Sequence, residues 1–97
     1  MILRRRFADL VARQLDLFET DDRPLLADVD QAKAAYDAAE REDAEQAYGD
    51  YVDAVDAVKD ALAEARDRFA ATLDGDTAEE YEAAFERAAR KRWRWLA

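Results

Sequence analysis

The chain of 97 residues contains no cysteine, histidine, serine or asparagine. Without cysteine there is no disulfide framework and no thiolate metal site. Without histidine, serine or cysteine the usual pairs of nucleophile and base cannot be assembled, and the Glu-x-x-His pattern of di-iron bundles is excluded. An enzyme would have to work with paired acids or a carboxylate-bound hard cation, so a catalytic role is disfavoured and no cofactor is expected. Structure breakers are equally scarce, one proline and two glycines, which leaves few places for a helix to stop. No long uncharged apolar run occurs: Met1-Ile2-Leu3 is followed by Arg4-Arg5-Arg6, with acids at Asp9 and Asp16. That pattern suits neither a secretory leader nor a membrane span, and the expected compartment is the cytoplasm. Twelve arginines against three lysines suggest a GC-rich bacterial genome.

Alanine and charge are what the chain has in abundance. Of the 51% hydrophobic residues, 23 are alanine, which favours helix and buries little surface. With 40% charged residues this is the composition of one thin helical domain over residues 1–97, neither a thick core nor a disordered chain. Leu3, Phe7, Leu10, Gln14 and Leu17, widened by Val11 and Phe18, predict an amphipathic helix over about residues 2–19. Thr20-Asp21-Asp22-Arg23-Pro24 stops it and opens the next, Pro24 being suited to a first turn.

The stripe Leu25, Val29, Ala32, Tyr36, Ala39 and the stripe Tyr51, Val55, Val58, Leu62, Ala65, Phe69 are joined by unbroken steps of three and four. They predict one long central helix over about residues 24–73, roughly 75 Å at 1.5 Å per residue. The alternative is a compact four-helix bundle with a break near Gly49. At Leu73-Asp74-Gly75-Asp76 the helix ends, Gly75 being suited to the left-handed position. Thr77 with Glu80 forms a capping box that opens a last helix over about residues 77–96, through Tyr81, Phe85 and Ala88. The expected fold is therefore all-α. Antiparallel hairpins pack the first and last helices on the central one, and both termini reach its middle.

Charge is segregated along the chain. Residues 1–13 carry four basic residues and one acid, residues 83–97 five and one, and residues 14–82 carry 22 acids against six bases, within a total of −9. With both basic ends beside the acidic middle, Arg4, Arg5 and Arg6 are expected near Glu40, Glu42 and Asp43. Arg90 and Arg94 are expected near Asp50, Asp53 and Asp56. The ending Ala-Arg-Lys-Arg-Trp-Arg-Trp-Leu-Ala then reads as a docked, charge-matched helix end. Contact with a membrane surface or nucleic acid through this basic-aromatic segment is the minor alternative, because phosphates would repel the acidic middle. Asp53, Asp56, Asp60, Glu64 and Asp67 form an acidic row that reads as the wet side of an amphipathic helix. Binding of a hard cation is its alternative.

If the tail stays helical, Trp93 and Trp95 flank its buried face on opposite sides, and at least one is free for a second surface. Two helices per cross-section also leave Tyr36, Tyr48, Tyr51 and Val52 partly uncovered, and a two-helix layer rarely stands alone in water. The expectation is a non-enzymatic interaction or assembly protein acting as a homodimer, with Tyr48, Tyr51, Trp93 and Trp95 at the contact and another protein partner as the alternative. The length and hairpin pattern resemble the small secreted WXG-type helical proteins. The Trp-x-Gly turn is absent and Tyr36-x-x-x-Glu40 falls inside an expected helix, so nothing is carried over from that family.

Overall fold

The computed structural model describes residues 6–96, and Arg4 and Arg5 of the expected charge network lie outside them. Within that range the protein is all-α, with four helices: α1 (Ala8–Asp21), α2 (Arg23–Ala38), α3 (Ala44–Ala70) and α4 (Gly75–Arg92). Short 3₁₀ turns occupy Arg41–Asp43 and Arg94–Leu96.

Helix α1 buries Val11, Leu15 and Phe18, and Phe7 just before it is buried too. This face is rotated from the expected one. Leu17 is 61% exposed, whereas Leu15 is 1% exposed. Both stripes have helical spacing, and the assembled core takes in Val11, Leu15 and Phe18, while Tyr81 packs its ring edge-on against Phe7 at 5.5 Å and donates its hydroxyl to Gln14 Oε1 at 2.7 Å.

Asp22 alone separates α1 from α2, and helical hydrogen bonding runs across it: Asp22 N–H donates to Phe18 O, and Leu26 N–H donates to Asp22 O. Asp22 sits at φ −112°, ψ 28°, so the junction is a kink and not the hairpin turn that the Thr-Asp-Asp-Arg-Pro stretch predicts. The directions confirm this. Arg6 meets Glu80 and Phe18 meets Trp93, so α1 runs parallel to α4. Phe69 meets Tyr81 and Arg66 meets Glu86, so α4 is antiparallel to α3. Tyr36 meets Tyr48, so α2 is antiparallel to α3 as well. Helices α1 and α2 therefore share one sense, and the start of α1 lies at the opposite end from the Arg41–Asp43 turn.

The central helix is two helices. Ala39 and Glu40 are extended, with ψ 139° and 161°, and α3 begins at Ala44. The continuous helix is not formed; the alternative of four helices is, with the break at residues 39–43 rather than near Gly49, which lies inside α3. No proline or glycine marks the reversal at 39–43. Its cause is burial: folding back closes Val29 (1% exposed) and Val55 (7% exposed) into the core, contacts that a straight helix would forgo. The local trace is Glu42, Asp43 and Glu45, acids at the start of α3 where the helix dipole favours them. A Cβ on Gly49 would meet nothing within 4 Å. Gly49→Ala should therefore raise stability by about 1 kcal/mol, seen as a higher thermal midpoint.

At the start of α4, Asp74 is the N-cap, its side chain accepting from Thr77 N–H at 3.2 Å, and Gly75 is the first helical residue. Among the described residues no glycine has positive φ, so neither the left-handed Gly75 nor the cap at Thr77 is realised. Thr77, side chain first and backbone N–H second, holds the Asp74 carboxyl below its ordinary value of 3.8. A depressed carboxylate stabilises the fold above its unfolded value and stops doing so as pH falls through the folded one. Asp74→Ala should therefore lower the thermal midpoint near neutral pH, with the difference from the parent fading on acidification.

The whole measures 51 × 24 × 22 Å. Its thick part, called the body below, holds α1, α4 and the second half of α3 around Tyr81, Leu15, Val11, Val58 and Phe85. The other part, the arm, is α2 paired with the first half of α3 and is only two helices thick.

Candidate interaction surface

The end of α4 decides what is left uncovered. Its wheel would place Trp93 and Trp95 on opposite flanks, but the helix stops at Arg92 and Trp93 is extended, at φ −121°, ψ 94°. The 3₁₀ turn that follows brings the chain back to α3. Trp93 packs edge-on against Phe18, with ring centres 5.8 Å apart, and Trp95 and Leu96 are half-buried against the same core. Both tryptophans are thus engaged by their own chain, which a regular helix would not allow.

The ion pairs are different from those expected. Arg6 pairs with Glu80 at 3.5 Å, Arg90 with Glu86 at 3.7 Å, and Arg92 with both Asp16 at 2.8 Å and Glu19 at 2.7 Å. Among the described residues neither Arg90 nor Arg94 pairs with Asp50, Asp53 or Asp56, and Arg6 meets none of Glu40, Glu42 or Asp43. The kink explains this, because it sets Arg6 beside α4 and leaves the 39–43 turn at the far tip. Arg92 is the residue that sequence reasoning missed. Its helical phase with Tyr81 and Phe85 was the available signal; burial lowers its pKa, but the hydrogen bonds and charges of Asp16 and Glu19 together outweigh that and leave it raised. Arg66 does the same work between α3 and α4, with Asp67 at 2.8 Å and Glu86 at 2.9 Å. Such half-exposed pairs are each worth at most about 1 kcal/mol, and they fix register more than stability.

The acidic row Asp53, Asp56, Asp60, Glu64 and Asp67 is exposed throughout. Among the described residues no three carboxylates gather into a group that could hold a metal ion, so the row has the geometry of a solvated helix side. Nor, among the same residues, is any helix long and apolar enough to cross a membrane.

The tyrosines of the arm remain. Tyr36 (37% exposed) and Tyr48 (51% exposed) meet across α2 and α3 with ring centres 5.3 Å apart and their planes tilted by 57°. Tyr51 and Val52 beside them are partly buried. At 3.6 residues per turn, positions 18 apart on a helix point the same way. Tyr48 therefore shares its direction with Arg66, and Tyr51 shares its direction with Phe69, and both of those partners contact α4. The side of the hairpin that α4 covers over the body continues past the end of α4 along the arm, where none of the described residues covers it. Tyr48 and Tyr51 lie on this face, while Trp93 and Trp95 stand at the step where the cover ends.

The outer flanks of α4 have a different character. On the side of α3 a groove of about 260 Å³ has a floor of Leu62, Phe85 and Leu96 and a rim that includes Lys59, Arg66 and Arg90. On the side of α1 a shallow groove of about 470 Å³ runs over Ala8, Val11, Ala84 and Ala88, with Arg87 and Lys91 at its edge. Both are apolar troughs with cations at their edges, and in the first Glu86 also lines the rim and pairs with Arg66 and Arg90. The chain matches no protein-family model, no curated protein and no solved structure.

Proposed function

We propose that this is a non-enzymatic helical interaction or assembly protein that acts as a homodimer, using the uncovered face of its arm. The reading is carried by the exposed Tyr36–Tyr48 pair on the face that α4 leaves open. Tyrosine supplies a large, rigid contact area with a polar tip, and such residues dominate the energetics of interfaces. The absence of histidine, serine and cysteine from the sequence points the same way, since it removes the common routes to nucleophilic catalysis. Light scattering on the full chain at micromolar concentration is the test. A mass twice 11.1 kDa, lowered towards the monomer by Tyr48→Ala with helix content unchanged, is the expected result. A mass near 11.1 kDa at every concentration rejects the dimer.

A further inference from the structure

We infer that the uncovered face of the arm is filled by the second half of α4 from a second copy, in a reciprocal antiparallel dimer; this rests on the homodimer reading above. The first argument is shape. Each chain is a step, three helices thick over the body and two over the arm, and two such steps turned head to tail fill each other. Each α4 then replaces, over its partner's arm, the cover that the partner's own α4 does not provide. A two-fold arrangement of this kind uses the same two patches on both chains and closes without open ends.

The second argument is charge, and it selects this pairing over others. Residues 27–56, the arm and its turn, carry ten acids against two bases, a net −8. Arm against arm would therefore set two like-charged surfaces face to face. Residues 83–97 carry five bases against one acid, a net +4, and Arg87, Arg90, Lys91 and Arg94 are all exposed. Opposite signs meet when arm lies on the second half of α4. Register follows from the same distribution. The first half of α4 holds Asp76, Glu79, Glu80 and Glu82, so the acidic tip is directed to the second half. There the two cation-edged troughs offer apolar floors for the tyrosine rings. The Arg94–Leu96 turns of the two copies then lie nearest the two-fold axis, which places Trp95 at the centre of the contact.

The experiment has three arms on the full chain. Sedimentation or light scattering at about 50 mM and at about 1 M salt should show dimerisation weakened by salt, as screening of the arm–α4 attraction requires. The triple variant Arg87→Glu, Arg90→Glu, Lys91→Glu, all at exposed positions, should weaken the dimer at low salt by more than about tenfold with unchanged helix content. Zero-length carbodiimide cross-linking of a mixture of ¹⁴N and ¹⁵N chains should join Lys91 of one isotope to acids between Asp37 and Asp50 of the other. A dimer that forms equally at both salt levels, survives the triple reversal and gives no cross-link at Lys91 overturns this arrangement and leaves the homodimer standing. A monomer under all conditions overturns both.

Discussion

Tyr81→Ala is expected to cost about 3–5 kcal/mol, the largest loss from any single side chain here, and to lower the thermal midpoint by at least about 12 °C. Tyr81 is 0% exposed and touches all three elements of the body: Phe7 before α1 at 5.5 Å, Phe69 on α3 at 4.8 Å and Phe85 on its own helix at 6.0 Å. A core this thin has no second layer to collapse into the void, so the cavity persists. Total stability for a domain of this size is about 5–15 kcal/mol, and the variant should be close to unfolding at room temperature. Tyr81→Phe separates packing from polarity. It keeps the ring and removes the bond to Gln14, so its cost should be near 1 kcal/mol.

The same comparison has a signature in pH. Burial pushes the Tyr81 hydroxyl above its ordinary value of 10.0, with Gln14 and Arg66 opposing. The folded state therefore keeps a proton that the unfolded chain loses first. The contribution is complete below about pH 10 and disappears as pH rises through the raised value. The parent should unfold more readily in alkali than Tyr81→Phe does, relative to their stabilities at neutral pH. Equal alkaline midpoints would remove Tyr81 as the cause.

Phe18→Ala should cost about 3 kcal/mol and also release the C-terminal turn. Phe18 is 6% exposed in the last turn of α1, and Trp93 packs against it at 5.8 Å. Its carbonyl also accepts the N–H of Asp22, the residue at the kink. Phe18 thus joins the kink, through its backbone, to the end of α4, through its ring. Loss of the ring should shift tryptophan emission to the red before global unfolding, since Trp93 loses its cover. A double-mutant cycle with Trp93→Ala should give a coupling of roughly 0.5–1.5 kcal/mol, the range for an edge-on aromatic pair. Coupling near zero would mean that Trp93 is held by Arg92 and the turn alone.

Several features of the fold were legible in residue spacing. The stripe Val55, Val58, Leu62 is buried as its three- and four-residue steps require, and Tyr81 with Phe85 forms the inner face of α4. The stop at 71–74 was legible because it carries its own turn chemistry: an aspartate able to cap and a glycine after it. The arm tyrosines were legible as uncovered residues, because alanine-rich flanks cannot hide them.

Composition and periodicity by themselves determined that the chain is helical, that α3 and α4 have those inner faces, and that cysteine and histidine chemistry is absent, since these are properties of residue type and of i, i+3 and i+4 spacing. Tertiary structure alone decided the rest. Two stripes on α1 satisfied the same periodicity, and only the assembled core distinguishes them, with Leu15 inside it and Leu17 outside. The 39–43 break has no strong local breaker. It exists because folding Val29 against Val55 buries more apolar surface than a continuous helix could. At Asp22 the local signals for a stop and a start were read as a reversal, but a single intervening residue with its helical hydrogen bonds intact allows only a bend. That bend determines which carboxylates each arginine meets, because ion pairing follows the direction of a helix, and direction is set by the summed packing of the body rather than by any one residue.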